Sequence, residues 1–278
     1  MKKDLRDTTF VIPIRIESED RLRNVITICC FLLENFNTRI ILKEVDSTSI
    51  FEERALPQIK RYLDNNVDDL THIFEKIDPD DPIFYRMRYI NQMLSMVDTK
   101  VVANYDCDVL LPISTYLKSE KAIVEDGFDA IYPYAFGDEN NGLQFCRQVW
   151  ADDDVVSSFL SEDCNFSILD SKSTTAKAQY GHVQFFNKSS YIAAGMENEN
   201  FRSWGPEDQE RYYRFEKLGY KIGRVNDYVY HIEHSRGQDS DYANPYHGDN
   251  VNLFDYLKSL TQQELRSYYS SQKYLRKY

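Results

Sequence analysis

The sequence lacks the features that would place it in a membrane or on nucleic acid. Its longest apolar run, VITICCFLL at 25–33, is about half of the roughly 20 residues that span a bilayer. The N-terminal segment MKKDLRDTTFVIPI has no apolar core of a secretory signal. There is no basic block before the C-terminus and the formal net charge is −12, which argues against nucleic acid as the main partner because phosphate binding needs a positive surface.

The number and spacing of the cysteines give no indication of disulfide bonds. The five cysteines are an odd number without a CxxC pair, and Cys29 and Cys30 are adjacent inside an apolar helical pattern. We therefore expect buried free thiols in a reducing compartment, and we predict a cytoplasmic protein. No internal repeat or linker divides the 278 residues, a length that suits one large α/β domain.

Strand and helix patterns alternate through the first 110 residues. Apolar runs typical of buried strands are separated by segments with helical spacing, such as the one after Ser18, a helix N-cap candidate. This alternation predicts a parallel, doubly wound sheet with ligands at the carboxyl ends of its strands. The predicted strands are 8–14, 39–46, 71–77 and 100–108, and the predicted helices are 51–63 and 84–97.

The second half shows a weaker pattern. A polar and irregular excursion is predicted at 137–175, and a single strand that ends in two histidines is predicted at 221–234. Further predictions are a strand at 129–136, strand, turn and short helix at 181–196, a helix at 207–220 that ends at Gly219, and one or two Tyr-rich amphipathic helices from Asn250.

Two acids lie at the end of the predicted strand at 100–108, with one residue between them. Asp106 and Asp108 form a D-x-D arrangement. Two carboxylates at the end of a strand suit a hard divalent cation that also bridges phosphates, because Mg²⁺ and Mn²⁺ accept oxygen ligands. A turn followed by a helix N-cap would use the same residues, so both interpretations stay open.

A second candidate group is the HxxH pair in YHIEHSR. His231 and His234 could converge on a metal, with Ser235 and Arg236 nearby for an anion. Two hydrogen-bonded histidines at a strand end would also explain the pair, and two histidines with one Asp would also suit a zinc hydrolase or an oxygenase.

An aromatic turn precedes the predicted helix at 207–220. Trp204, Gly205 and Pro206 lead to Glu207 and Asp208 at its N-terminus. Acids are favoured there by the helix dipole, so helix capping is one interpretation. The other is an aromatic platform for a sugar ring beside a carboxylate base.

Four sequence blocks, in order, resemble the GT-A-type glycosyltransferases, most closely the β-1,4-galactosyltransferase branch and its bacterial, family-2-like chondroitin-polymerase relatives. They are IPIR (for P-x-R), FYRMRYIN (for F-N-R-A-x-x-x-N), DCDVLLP (for D-V-D-x-x-P), and SWGPED with HIEHSR (for W-G-G-E-D and M-x-x-H-S-R). The resemblance implies a GT-A fold, an α/β fold with a Rossmann-like, mostly parallel central sheet flanked by helices and an embellished C-terminal half. It divides the single domain 1–278 into a nucleotide-binding half (1–110), an acceptor and catalytic half (111–236) and a helical tail (237–278).

The resemblance also implies roles for individual residues. Asp208 would be the catalytic base, and Asp108, His231 and His234 would bind the metal. The donor would be bound by Pro13, Arg15, Glu44, Asp46, Arg86, Asp106 and Trp204, and the acceptor by Trp204, Glu207 and Asp208.

The implied function is a metal-dependent inverting glycosyltransferase that moves a hexose or N-acetylhexosamine from a UDP-sugar to a hydroxyl of a glycan or lipid-linked acceptor. The cofactor would be Mn²⁺, with Mg²⁺ also accepted because His231 stands where the animal enzymes have methionine. Pro206 replaces a glycine of the family turn. The partners would be the sugar nucleotide, the glycan acceptor and, through that acceptor, the surface of a membrane.

Three other functions remain open at this point. They are a retaining enzyme like the polypeptide N-acetylgalactosaminyltransferases, a metal-dependent hydrolase, and a non-catalytic module that binds sugar nucleotides or glycans. The segment 137–175 and the Tyr-rich tail are candidates for the acceptor side or a partner surface.

Overall fold

The computed structural model describes residues 1–78, 83–135, 137–138, 143–237, 240 and 242–278. The strands in these residues are β1 (Lys3–Ile14), β2 (Phe36–Asp46), β3 (Leu70–Lys76), β4 (Val101–Tyr105), β5 (Val109–Leu110), β6 (Ala130–Tyr132), β7 (Gly137–Asp138), β8 (Leu143–Val149), β9 (Ser173–Lys177), β10 (Val183–Asn187), β11 (Ile222–Arg224) and β12 (Tyr230–Ile232).

The helices are α1 (Glu19–Asn35), α2 (Leu56–Tyr62), α3 (Arg86–Leu94), α4 (Ile113–Val124), α5 (Asp153–Ser161), α6 (Phe166–Asp170), α7 (Lys188–Ala193), α8 (Glu207–Leu218), α9 (His247–Ser259) and α10 (Gln262–Ser270). A π-helical turn (Phe51–Ala55) precedes α2, and a 3₁₀ helix (Lys273–Arg276) follows α10. None of the helices within these residues has the length and apolarity needed to cross a membrane.

Among the described residues, seven strands form a mostly parallel central sheet in the order β11-β6-β10-β4-β1-β2-β3. The strand β10 is antiparallel to both of its neighbours, and the other pairs are parallel. Phe10, Val11 and Ile12 of β1 are all fully buried, because helices cover both faces of the sheet and leave no solvent side. The mixed α/β class and the mostly parallel sheet are as predicted.

The first helix forms where its sequence pattern predicts it. The Ser18 side chain accepts a hydrogen bond from the backbone N–H of Arg21 at 3.3 Å and caps α1. The apolar face of α1 is buried, including Cys29 and Cys30, and all five cysteines are free and buried as expected. On the same helix, the buried Asn24 amide donates to the carbonyl of Ile232 at 2.9 Å and so fixes β12 against α1.

A second sheet carries β5, β12, β8 and β7 in that order, with β9 paired to β8. Its presence corrects the prediction of an irregular excursion at 137–175, which instead contains β8, α5, α6 and β9; the part of that prediction at 139–142 lies outside the described residues. This segment contains the acidic run ADDD at 151–154. Its Asp152 caps α5 by accepting from the N–H of Val155 at 2.9 Å.

The prediction of one strand at 221–234 was wrong. The chain forms β11 in the central sheet and β12 in the second sheet, with a turn between them. The carboxylate of Asp227 stabilises this turn by accepting from the N–H of Tyr228 at 2.9 Å and the hydroxyl of Thr115 at 2.6 Å. Buried Val225 and Val229 flank the turn, so the hydrophobic pattern continues across it and hides the break.

The tail forms two helices, and the first begins at His247 and not at Asn250. Thr261 and Glu264 form a capping box at the start of α10. The buried Leu257 and Leu265 belong to a cluster with Leu218 of α8, so the tail packs directly against that helix.

Candidate metal centre and adjoining cavity

A cavity of about 690 Å³ opens beside the carboxyl ends of β1 and β4. The structure brings most of the predicted site residues together around it. These are Pro13, Arg15, Arg86, Asp106, Asp108, Trp204, Glu207, Asp208, His231 and His234. Two predicted residues, Glu44 and Asp46, are not among the lining residues.

Pairing of β12 with β5 assembles the candidate metal ligands. In this antiparallel pair, His231 lies opposite Val109, and the N–H of Ile232 donates to the carbonyl of Asp108 at 2.7 Å. Asp108 therefore leaves the central sheet beside the strand that carries His231, and His234 follows two residues after that strand ends. One potential ligand atom from each of the three residues lies within 4.8 Å of the others.

The two imidazoles are oriented for a metal. The Nε2 atoms of His231 and His234 face Asp108, at 3.7 Å from Oδ1 and 3.0 Å from Oδ2. Their Nδ1 atoms are bound on the other side, by the Glu233 carboxylate at 2.9 Å and the Ser235 carbonyl at 2.7 Å. Such outer contacts fix the ring and leave Nε2 for a cation.

Asp108 itself has the properties of a metal ligand. Its Oδ1 atom is buried and has no hydrogen-bond partner in the described part of the chain. Burial favours the neutral carboxyl, but the charges of His231 and His234 outweigh it and hold the pKa of Asp108 below its usual range. An ionised carboxylate with an unsatisfied oxygen beside two imidazoles fits a divalent ion such as Mn²⁺.

Arginine side chains border the cavity next to these ligands. Arg86 donates to the Asp106 carboxylate at 2.6 Å through Nη2, while its buried Nη1 has no partner among the residues that the structure describes. Arg21 of α1 lines the same space; its buried Nε has no hydrogen-bond partner in the described ranges and lies 3.8 Å from the Glu17 carboxylate. Arg15 lines the cavity with its guanidinium 5.4 Å from the ring of Phe84. These donors suit an anion with several oxygens, such as a diphosphate.

The first turn of α8 also lines the cavity. The carboxylate of Asp208 accepts from Nη1 of Arg211 at 2.8 Å. Gly181 lies against the other oxygen, since a Cβ added to Gly181 would be 3.0 Å from Oδ2 of Asp208. Glu207 is buried and its Oε2 has no partner in the described residues. Burial, followed by the charge of Asp208, raises the pKa of Glu207 well above its ordinary value.

The aromatic turn before α8 is held by the tail. The Asn250 side chain donates to the carbonyl of Arg202 at 2.9 Å and accepts from its N–H at 3.0 Å. His247 stacks on Trp204 with ring centroids 5.4 Å apart, and Tyr242 meets Trp204 edge-on at 4.9 Å. Trp204 therefore lines the cavity as part of an aromatic group whose other members belong to residues 242–247.

Glu44 and Asp46 satisfy local structure at their positions on β2. The fully buried Glu44 carboxylate accepts from the Ser49 hydroxyl at 2.6 Å and the Phe51 N–H at 2.9 Å. Asp46 accepts from the N–H of Ser47 at 2.7 Å. Side chains alternate between the two faces of a sheet, and this alternation directs Glu44 to the helices that cover the sheet. A position near the end of a predicted strand does not by itself determine which face the side chain is on.

The sequence motifs missed several lining residues, of which Arg21 and His182 stand out. Arg21 belongs to no motif of the sequence, although its long side chain reaches the cavity from the first turn of α1. His182 precedes β10, and burial, then the nearby His231, lowers its pKa to about 4. A lone histidine after a glycine carries no sequence signal of its own.

Comparisons with known proteins agree with this description. Residues 163–235 match the family model described as the N-terminal domain of galactosyltransferase, a stretch that contains Trp204, Asp208, His231 and His234. No curated protein matches the chain by sequence.

Two solved structures match parts of this chain. GalNAc-T7, solved with UDP, GalNAc and Mn²⁺, has a TM-score of 0.58 at 13% identity, with 90% of this chain and 47% of that chain covered. The mannosyltransferase PcManGT from Pyrobaculum calidifontis, in complex with GDP-Man and Mn²⁺, gives a TM-score of 0.48 at 14% identity, with 82% and 56% covered. The chain thus spans about half the length of these two solved chains. The fold is the GT-A type of the glycosyltransferases, and the chain is glycosyltransferase-like in its matched segment.

Proposed function

We propose that this protein is a metal-dependent glycosyltransferase that moves a hexose or N-acetylhexosamine from a UDP-sugar to a hydroxyl of a glycan or lipid-linked acceptor. The observation that carries the proposal is the set of groups that line one cavity. Three candidate metal ligands (Asp108, His231 and His234), the arginines Arg15, Arg21 and Arg86, and the carboxylate of Asp208 all border it. The match to a galactosyltransferase family model and the fold shared with GalNAc-T7 support it.

The donor diphosphate would bind at the metal end of the cavity. Mn²⁺ held by Asp108, His231 and His234 would supply a Lewis acid that neutralises charge on the leaving diphosphate. The guanidinium nitrogens of Arg21 and Arg86 that make no hydrogen bond in the described residues would donate charge-assisted hydrogen bonds to its oxygens. The same contacts would orient the diphosphate so that the anomeric carbon of the sugar faces Asp208.

Asp208 would act as the general base. Its carboxylate would accept the proton of an acceptor hydroxyl as that oxygen forms a bond to the anomeric carbon and the bond to the diphosphate breaks, with UDP leaving. Attack from the face opposite the diphosphate inverts the configuration, and general-base help of this kind is worth on the order of 10²–10⁴-fold. Trp204 would pack on the acceptor ring, and Glu207 would hydrogen-bond to it.

The test is nucleotide release by the purified protein from a panel of UDP- and GDP-sugars, with Mn²⁺, with Mg²⁺ and with EDTA. We expect metal-dependent release from one UDP-sugar that is lost in Asp108→Ala and kept in Asp126→Ala, an exposed acid after α4. If the protein binds a sugar nucleotide but releases no nucleotide with any added acceptor, it would be a non-catalytic module. If nucleotide is released at the same rate with and without an acceptor, the protein would be a hydrolase.

The stereochemical part needs its own measurement. The anomeric proton coupling of the product by NMR separates inversion from retention, and inversion is expected. Asp208→Asn should then abolish acceptor-dependent transfer while donor binding persists. A retained configuration would favour an enzyme like the polypeptide N-acetylgalactosaminyltransferases.

We place the reaction in the cytoplasm on the grounds of the free, buried cysteines.

A further inference from the structure

His182 lies between the candidate metal ligands and the candidate base, although none of the motifs includes it. Its ring centroid is 5.1 Å from that of His231. The preceding residue, Gly181, lies against Asp208, since an added Cβ would be 3.0 Å from Oδ2. The dipeptide 181–182 therefore spans the gap between His231 and Asp208 along the cavity wall.

The backbone of His182 has a conformation that side chains disfavour. Its φ is +71°, in the left-handed region, which is uncommon for a residue with a Cβ. The conformation is fixed from both sides, because the His182 carbonyl accepts from the N–H of Asp106 at 3.0 Å and the Tyr134 hydroxyl donates to the Gly181 carbonyl at 2.7 Å. An imidazole thus occupies a position where glycine would be unstrained, and such strain clusters at functional sites.

We propose that the imidazole of His182 hydrogen-bonds to the transferred sugar of the donor and thereby takes part in donor selection. The inference rests on the proposed function, in which the diphosphate lies at the metal ligands and the attacking hydroxyl lies at Asp208. The sugar must then occupy the space between them, which is the space that Gly181 and His182 border. A neutral imidazole offers one N–H donor and one nitrogen acceptor, a pair that matches a sugar hydroxyl.

The test compares the binding of UDP with the binding of UDP-sugars in the presence of Mn²⁺ by calorimetry. The probes are UDP, UDP-galactose, UDP-glucose and their N-acetyl forms. In His182→Gly, we expect the affinity for the preferred UDP-sugar to fall about tenfold, the worth of one good hydrogen bond, while the affinity for UDP is unchanged. His182→Asn, which tolerates the left-handed backbone and keeps a donor and an acceptor, should retain part of the lost affinity.

A purely structural role is separated by thermal unfolding. His182→Gly relieves backbone strain, so its melting temperature should be equal to or above that of the wild type. Asp64→Gly is the matched control, because Asp64 also has a left-handed backbone, with φ +50°, but is exposed after α2 and away from the cavity. It should raise the melting temperature without any change in binding.

The inference fails if His182→Gly binds UDP-sugars as the wild type does, or if it weakens UDP and UDP-sugars equally. A wild-type protein that binds neither UDP nor any UDP-sugar would overturn the proposed function and the inference with it. Selective loss of affinity for the sugar nucleotide in His182→Gly, with UDP affinity and melting temperature maintained, supports both.

Discussion

Arg211 holds the carboxylate of Asp208 from one turn further along α8, with Nη1 2.8 Å from Oδ1. The same guanidinium is fully buried and bidentate on Glu197, at 2.6 and 2.8 Å. The orientation of Asp208 thus depends on a buried ion pair. A substitution that displaces Arg211 from Glu197 would also displace the carboxylate of the candidate base.

Replacement of Arg211 by lysine should damage both stability and transfer. Lysine keeps the charge but cannot bind Glu197 with two parallel hydrogen bonds and reach Asp208 as well. We expect a loss of about 1–3 kcal/mol of unfolding free energy and a fall in acceptor-dependent transfer that exceeds any fall in donor binding. Urea unfolding and single-turnover assays measure the two effects. The control, Arg54→Lys, alters an exposed bidentate pair with Glu19 and should change neither.

Replacement of Gly181 by alanine should affect activity and leave stability nearly intact. The new Cβ would lie 3.0 Å from Oδ2 of Asp208, so the carboxylate must move while Arg211 still holds Oδ1. We expect acceptor-dependent transfer to fall about tenfold or more, because small misplacements of reacting groups have large effects. Gly248→Ala in α9 is the control, since its Cβ meets nothing within 4 Å. Equal activity of the two variants would contradict the placement of Asp208 at the reacting centre.

The metal preference should depend on His231. Imidazole is a harder ligand than thioether, so the wild-type site should support nucleotide release with Mg²⁺ as well as Mn²⁺. His231→Met should keep more activity with Mn²⁺ than with Mg²⁺, and Asp108→Ala should lose the response to both ions. Titration of each ion against nucleotide release decides the matter, and wild-type activity confined to Mn²⁺ would refute the prediction.

Glu207 should make the protein less stable as the pH rises. Its pKa is raised in the folded state by burial and by Asp208, against the opposing charges of Arg86 and Arg211. The folded state therefore binds the proton more tightly than the unfolded state does. Stability from this group is complete below the unfolded pKa of about 4.5 and falls by about 1.4 kcal/mol per pH unit up to the folded pKa.

The pH effect is measured by urea unfolding of the wild type and of Glu207→Gln from pH 4.5 upward. The variant lacks the titrating group, so the difference in unfolding free energy should shift in its favour as the pH rises. Glu125→Gln, an exposed substitution after α4, controls for the loss of one negative charge. Parallel curves for the wild type and Glu207→Gln would exclude the raised pKa.

The first half of the fold was predictable because its signals are local. Ser18 caps α1 as its position predicts, and Asp106 and Asp108 follow β4. The antiparallel β10 was not predictable in its direction, because side-chain alternation along a strand is the same whichever way the strand runs. The break between β11 and β12 was also hidden, since the buried Val225 and Val229 flank the turn and continue the hydrophobic pattern across it.

The candidate site was predictable where its residues belong to motifs and not where the fold alone brings them in. Potential ligand atoms of Asp108, His231 and His234 lie within 4.8 Å of one another, and metal binding by these residues stays a prediction. Arg21 reaches the cavity from the first turn of α1. His182 lines the cavity from a position with a left-handed backbone conformation. Neither position has a spacing or composition that differs from that of an ordinary helix turn or strand start, so only the tertiary arrangement identifies them.

The connector 106–108 leaves the central sheet after β4 and enters the second sheet at β5, where β12 pairs with it. A cation bound by Asp108, His231 and His234 would therefore hold the two sheets together at this junction, in addition to its role in the reaction. Its contribution to folding would grow with the logarithm of free metal concentration above the dissociation constant. Chelation would then loosen the architecture of the cavity wall as it removes the Lewis acid, and the resistance of the protein to heat would depend on the trace metal carried through its purification.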